Sequence, residues 1–513
     1  MATKTFAAID VGSYELNLKI YEFSQGNMKE VDRVGYRLDL GTDSYTSGKL
    51  SAGKVKELIR ILKEFTYVMR TYKVTDYKVY GTSAIRETVN TSILLDQIEQ
   101  RTNLRISVLS NSEQRFLNYK ALASRGEEFI KTIDKPTAIL DIGGGSIQLS
   151  LFDNDKLDVT QNLELGVIRL SERLKKLNVK PSRHTEMLNE MIGGQLSVFS
   201  RLYLKNRKIE NLIIIDDYIS PITWNRTRDS ERPGFISSDR FNAFCLKVSD
   251  MDPVEFCRKY SVAFENRQLV TVAAILVRNI VDVMGIGQIW APGVSLTEGI
   301  AYEYGEKKKL ITIEHNFEED IIACARSTAR RYLGDEKRSQ NLEKISLSIF
   351  DGIKSIHGLN KRDRLLLRLA TILHDCGKYI SLSNLSECSH DIIMATEMIG
   401  LSHEEQEILA NVVKHNHAYL DFDFEKSGLN EYDNEGNMRI AKLVAILRMA
   451  NGMDKSQKQK VNDVKVSLKG DILNITVFTN KDFTLEKGLF NKRADFFEEI
   501  YNVRPVILQK PSL

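Results

Sequence analysis

The sequence predicts an α/β protein with two repeated lobes, followed by an all-α region and a small α+β tail. Three observations predict it. The order strand, aspartate, glycine turn, strand, turn, strand, helix occurs twice in the N-terminal part. From Glu319 to Met453 nearly every segment has helical periodicity. After about residue 460, two strands around a hairpin signal, a helix and a last strand return the chain to mixed structure.

A chain of 513 residues is too long for one core, and at roughly 100–200 residues per domain three or four domains are expected. The divisions read from the sequence are 1–125, 126–312, 313–460 and 461–513. A net charge of +3 gives no argument for nucleic acid. Cys245, Cys257, Cys324, Cys376 and Cys388 are odd in number and form no CxxC pair, which argues against a disulfide framework and a zinc ribbon. Reduced thiols fit the cytoplasm. The N-terminus carries no signal-peptide core, and the apolar run Leu269–Val277, flanked by Arg267 and Arg278, is too short to span a membrane.

Phe6–Ile9 reads as a buried strand ending at Asp10. Gly12-Ser13 turns it into an alternating strand, Leu16–Phe23, and Gly26 turns that into a third near Val31–Leu38. Ser51 starts an amphipathic helix with Val55, Leu58, Ile59, Leu62, Phe65, Met69 and Tyr72 on one face. A strand at Tyr77–Tyr80 precedes Gly81-Thr82-Ser83. The second copy begins at Thr137–Leu140, ends at Asp141, and continues through Ile147–Phe152, the turn signal Asp153-Asn154-Asp155 and a strand near Leu157–Asn162. The helix Gln268–Met284 and the strand Gln288–Ala291 close the second lobe. In the tail, Val464–Leu468 and Ile472–Phe478 flank Lys469-Gly470-Asp471, before a helix near Leu485–Tyr501 and a strand at Pro505–Gln509.

Glycine turns after strands let backbone N–H groups approach phosphate oxygens, since no Cβ intervenes. An aspartate at the strand end can hold Mg²⁺ directly or through water. Two such turns, Asp10-Val11-Gly12-Ser13 and Asp141-Ile142-Gly143-Gly144-Gly145-Ser146, each opening a hairpin, point to phosphate bound between two facing lobes of the actin and sugar-kinase type.

Four segments resemble the exopolyphosphatase/guanosine-pentaphosphate phosphatase family: Phe6 to Ser13, Gly81-Thr82-Ser83-Ala84-Ile85-Arg86-Glu87 with Asn90, Ile139 to Ser146, and Leu165-Gly166-Val167-Ile168-Arg169-Leu170. Gly293-Val294-Ser295 with Glu298-Gly299-Ile300 adds a weaker fifth. The resemblance implies ribonuclease H-like lobes and attack of water on the terminal phosphorus of a phosphoanhydride chain. The implied ligand is inorganic polyphosphate or guanosine pentaphosphate, with Mg²⁺ (or Mn²⁺) as cofactor, in a cytoplasmic homodimer without nucleic-acid or membrane partners. It implies Gly12, Ser13, Gly143, Gly144, Gly145 and Ser146 around phosphate, Asp10, Asp141 and Gln148 at metal, and Arg86 on phosphoryl oxygens.

Two positions depart from the family pattern. The family's basic glutamate falls on Gln114 without a gap, or on Glu113 with a one-residue deletion; Leu117 and Tyr119 favour the first register and Arg115 the second. Glu113 is the expected base, with a helix-start carboxylate as its other reading. The metal-associated glutamate of the family is replaced by Gln148. An amide neither takes a proton from water near neutral pH nor brings charge to a metal, so a binding-only sensor is the alternative to a hydrolase. Tyr14 replaces an asparagine, and Ile213 to Tyr218 lacks the family's glycine-rich loop, which argues against an ATP-dependent kinase.

Leu373-His374-Asp375-Cys376-Gly377-Lys378 resembles the HD phosphohydrolase signature, with His390 and His415 as further candidates. The family's earlier histidine falls near Arg338 and its closing aspartate on Asn451, which implies a degenerate, structural HD-like domain that in this family aids polyphosphate binding and dimerisation.

Overall fold

The computed structural model describes residues 4–205, 207–227, 229–260, 262–417 and 434–512. The chain divides into two compact units, Met1–Asp320 and Ile321–Leu513.

The first unit contains the two predicted copies. In one, β1 (Lys4–Val11), β2 (Glu15–Ser24), β3 (Asn27–Arg37), β4 (Asp76–Gly81) and β5 (Ile106–Val108) form a sheet in the order β3-β2-β1-β4-β5. In the other, β6 (Thr137–Ile142), β7 (Ile147–Asp153), β8 (Lys156–Leu163), β9 (Asn211–Ile215), β10 (Phe235–Ser237) and β11 (Gln288–Trp290) are ordered β10-β11-β9-β6-β7-β8. β1 runs antiparallel to β2 and parallel to β4; β6 runs antiparallel to β7 and parallel to β9. The repeated grammar of the sequence is therefore a repeated topology. Asn154 and Asp155 make the β7–β8 turn with φ of 50° and 58°, the left-handed pair that a two-residue hairpin favours.

Each sheet buries an amphipathic helix. Leu58, Leu62 and Phe65 of the Ala52–Thr71 helix pack with Ile9, Leu18 and Val79. The wholly apolar face of Arg267–Met284 sits in the core of the second sheet. The helix Leu296–Lys307, which the sequence divisions assign to the second lobe, packs on the first: Phe6 and Tyr304 stack with centroids 4.0 Å apart. A Cβ at Gly299 would collide with the backbone of Leu117, so glycine is what lets this helix approach the Asn111–Ala123 helix.

Among the described residues from 321 to Met453 the second unit is helical, with Glu336–Gly352, Lys361–Leu373, Leu385–Ala395, His403–His417 and Asn434–Met453 as its main helices. The helical reading of Glu319 to Met453 includes residues 418–433, which lie outside those described. The tail forms β12 (Asp463–Lys469), β13 (Ile472–Phe478) and β14 (Arg504–Lys510), with Thr484–Tyr501 as the crossover helix between the parallel pair β13 and β14. It belongs to the same unit: Tyr501 donates to the carbonyl of Lys442 at 2.9 Å.

Candidate functional site

The register aligns the two turns. Asp10 lies opposite Asn17, which lies opposite Gly35; Asp141 lies opposite Gln148, which lies opposite Asn162. Because side chains alternate along a strand, Glu15, Asn17 and Lys19 on β2 share a face with Arg33, Gly35 and Arg37 on β3. That face and the two turns line a cavity of about 650 Å³, with Asp10, Gly12, Ser13, Asp141, Gly143, Gly144 and, from β9's end, Asp216 and Asp217. Lys19, Arg33 and Arg37 are its basic wall, and the sequence reading missed them. The alternation Arg33-x-Gly35-x-Arg37 in a predicted strand was the signal.

The second turn is held from behind. The amides of Val167, Ile168 and Arg169 donate to the carbonyls of Gly143 and Gly144 at 3.0–3.1 Å, and Arg169 Nε donates to the Gly145 carbonyl at 2.7 Å. A Cβ at Gly166 would collide with the backbone of Gly144, Gly145 and Ser146. Gly166→Ala is thus expected to cost at least about 1–3 kcal/mol of stability through overpacking, read by denaturant unfolding; an unchanged midpoint would mean the turn yields freely. Gly145 and Ser146 back onto the start of the Val167–Lys176 helix and, unlike Gly143 and Gly144, are not among the cavity-lining residues. At the first turn, the hydroxyls of Ser13, Tyr45 and Ser83 form a closed triangle of hydrogen bonds 2.7–2.8 Å long. Tyr45 comes from a helix, Leu40–Ser47, that the sequence reading did not identify.

Two expected catalytic side chains are turned elsewhere. Glu113 closes a capping box: Ser110 Oγ accepts from its amide at 3.2 Å, and its Oε2 accepts from the Ser110 amide at 2.9 Å. That satisfies helix-start donors and draws the carboxylate back to the helix end. Gln114 lines the cavity instead, together with Asn118 one turn on. Arg86 donates to the Leu109 carbonyl at 2.5 Å and to Asn111 Oδ1 at 2.6 Å, which ties its guanidinium to the start of the same helix rather than to the cavity.

Asp141 is buried, and its Oδ1 is paired with Arg115 Nη1 while its Oδ2 accepts from Asn118 Nδ2 at 2.5 Å. Burial raises its carboxyl above the usual range, and Arg115 and Asn118 offset part of that rise. Burial, with the charges of Asp217 and Glu15, raises Asp10 further; its Oδ1 is buried without a partner. Asp216 accepts from the amides of Ile219 and Ser220 at 2.7 and 2.6 Å. Asp217 is exposed to cleft water yet ringed by protein, and that desolvation, with Asp216, Glu15 and Asp141, pushes it up to about 7.

The donor set expected for Mg²⁺ does not fit one. Both oxygens of Asp141 are occupied, Gln148 is an amide, and among the described residues no three His, Cys, Asp or Glu side chains come together as a metal site.

The profile of the Ppx/GppA phosphatase family matches residues 19–308. The chain belongs to that family. The profile of Ppx/GppA phosphatase domain III matches residues 322–495. A guanosine-5'-triphosphate,3'-diphosphate pyrophosphatase of Aliivibrio fischeri is 18% identical over 92% of this chain and 91% of its own length. Exopolyphosphatase 1 of Mycobacterium leprae is 26% identical over 37% of this chain and 55% of its own length. The crystal structure of an exopolyphosphatase from Cytophaga hutchinsonii superimposes with a TM-score of 0.52 at 18% identity, covering 60% of this chain and all of that one, which supports the fold. The first unit thus has the actin-like α/β architecture of the Ppx/GppA fold, and the second is the helical domain III.

In domain III, His374 and Asp375 are buried, and Arg338 stands beside them, 3.5 Å from Asp375 Oδ2. His390, one of the two further histidines predicted for this centre, pairs with its neighbour Asp391 at 3.1 Å. The other, His415, is buried, and His417, two positions on, is held down to about 4 by burial and by His374, Arg338, Lys378 and Arg493. No helix among the described residues is long and apolar enough to cross a membrane.

Proposed function

We propose that the cleft binds the end of a phosphoanhydride chain and slowly hydrolyses its terminal bond, with inorganic polyphosphate as first substrate and guanosine pentaphosphate as second. The observation that carries this reading is the pair of Asp–Gly turns opening on one cavity that Lys19, Arg33 and Arg37 also line. Phosphoryl transfer is mostly positioning and charge stabilisation, and those groups supply both. Gly12, Ser13, Gly143 and Gly144 would hold the terminal phosphoryl group; the basic wall would take the oxygens of the next phosphates. Water attacks phosphorus, the bridging P–O bond breaks with its oxygen leaving on the shortened chain, and the attacking water's proton goes to Asp217, a cleft carboxylate whose proton affinity is pushed up to about 7.

Orthophosphate release from long-chain polyphosphate, measured against pH, tests this. kcat/KM is expected to rise through about pH 7 as the Asp217 carboxyl ionises, and Asp217→Asn to flatten that rise and lower the rate about 10²-fold. A profile identical in the variant would remove Asp217 from the reaction. A second reading, binding without turnover, is favoured by Gln114 in the cavity. Polyphosphate binding with no orthophosphate released would select it. The family resemblance also implies a cytoplasmic homodimer, which sedimentation of the purified chain tests as to oligomeric state.

A further inference from the structure

Twice in this chain, once in each unit, a guanidinium and an asparagine accompany an aspartate where the family resemblance puts a metal. In the first unit Arg115, 4% exposed, pairs with Asp141 Oδ1 and reaches Ser146 Oγ at 3.4 Å, while Asn118 takes Asp141 Oδ2. In the second, Arg338, 3% exposed, lies 3.5 Å from Asp375 Oδ2 and 3.6 Å from Asp454 Oδ2, and donates to Asn451 Oδ1 at 2.8 Å. Lys378 Nζ takes Asp375 Oδ2 at 2.8 Å. Each guanidinium stays charged at any physiological pH. A divalent cation on the same carboxylate would have to displace its hydrogen bonds and sit against a fixed positive charge.

We propose that Arg115 is the resident counter-cation of the cleft, so that phosphate chains bind without a divalent metal on Asp141. The proposal rests on the reading that the cleft binds phosphate. Gly143 lies directly over the guanidinium: a Cβ there would be 3.6 Å from Arg115 Nη2. The positive charge therefore sits under the turn, where a metal would otherwise offset both Asp141 and the incoming anion. Gln148 follows from the same arrangement. With Asp141 already neutralised, a second carboxylate opposite it would be an unpaired buried charge, and an amide is not. The parallel at Arg338 is independent, in a different unit and a different fold: a buried guanidinium again stands against the aspartate, and there the asparagine accepts from the guanidinium instead of bonding the carboxylate.

The test uses the full-length chain and two probes. Mn²⁺ titration followed by electron paramagnetic resonance is expected to find no site tighter than about millimolar at Asp141 or Asp375 in the wild type. Arg115→Gln/Gln148→Glu frees Asp141 and puts a second carboxylate opposite it, and is expected to create one Mn²⁺ site, abolished again when Asp141→Asn is added. Calorimetry with polyphosphate is expected to give affinities within about twofold in EDTA and in Mg²⁺. A wild-type Mn²⁺ site lost in Asp141→Asn would overturn the proposal, as would a loss of polyphosphate affinity of about tenfold or more in EDTA. A folded Arg115→Gln/Gln148→Glu that gains no Mn²⁺ would also overturn it. Should that variant not fold, the wild-type titration still decides. Should polyphosphate bind under neither condition, the phosphate reading fails while the Mn²⁺ result stands by itself.

Discussion

Gln114→Glu is expected to raise orthophosphate release from polyphosphate by about 10²-fold, the lower end of what a positioned general base contributes. Gln114 faces the cavity one helical turn before Asn118, which itself touches Asp141 at 2.5 Å. A carboxylate there would lie on the side of the second turn where water must approach the terminal phosphorus. The amide now present can hold that water but cannot take its proton. The gain is set at the lower end because Asp217 supplies some base strength in the parent, and because burying another carboxylate beside Asp10 and Asp141 raises its own proton affinity. The pH profile separates the two bases, since release by the variant should no longer follow the ionisation of Asp217. Single-turnover release measures the effect. A rate no higher than the parent's, with binding retained, would show that water is not activated at this position, and would favour the binding-only reading.

The two lobes were legible because their signals are local and repeated. An aspartate at a strand end, a glycine turn and an alternating strand each depend on residues within a few positions, and the topology copies them in both sheets. The orientation of the Asn111–Ala123 helix was less legible. Ser110-x-x-Glu113 is itself a capping-box pattern, and the local hydrogen bonds of the helix end won the carboxylate. The reading that put Glu113 in the cleft weighed the family register above that local competition. Arg115 could not be placed from sequence at all. Its partner lies 26 positions away on β6, and only the packed structure brings Asp141 to it. The basic wall was legible in principle, by strand alternation, but its function depends on a register between β2 and β3 that includes a bulge beyond Ile20. In domain III, His390 and His415 were chosen for their residue type, and His417, whose proton affinity the charge of His374 helps to lower, was not named.

The buried pair itself carries the second large expectation. Arg115→Gln is expected to destabilise the first unit by about 3–5 kcal/mol, the range for breaking a buried ion pair by removing one partner. The cost is not the loss of an attraction alone. Asp141 is 6% exposed and would keep its charge with only Asn118 to hydrogen-bond it. Its carboxyl, already raised by burial, would rise further without the guanidinium that now offsets part of that rise. The variant should therefore recover stability as pH is lowered through that raised value, because protonation removes the uncompensated charge. Adding Asp141→Asn should recover most of the loss at neutral pH, since two amides and a buried asparagine can share hydrogen bonds without any charge to solvate. Denaturant unfolding of the two variants at neutral and acidic pH reads both effects. If the single variant were as stable as the parent at every pH, Asp141 would have found another counter-charge, and the role given to Arg115 in the cleft would fall with it. If the double variant stayed as unstable as the single one, the guanidinium would be acting through packing beneath Gly143 rather than through its charge.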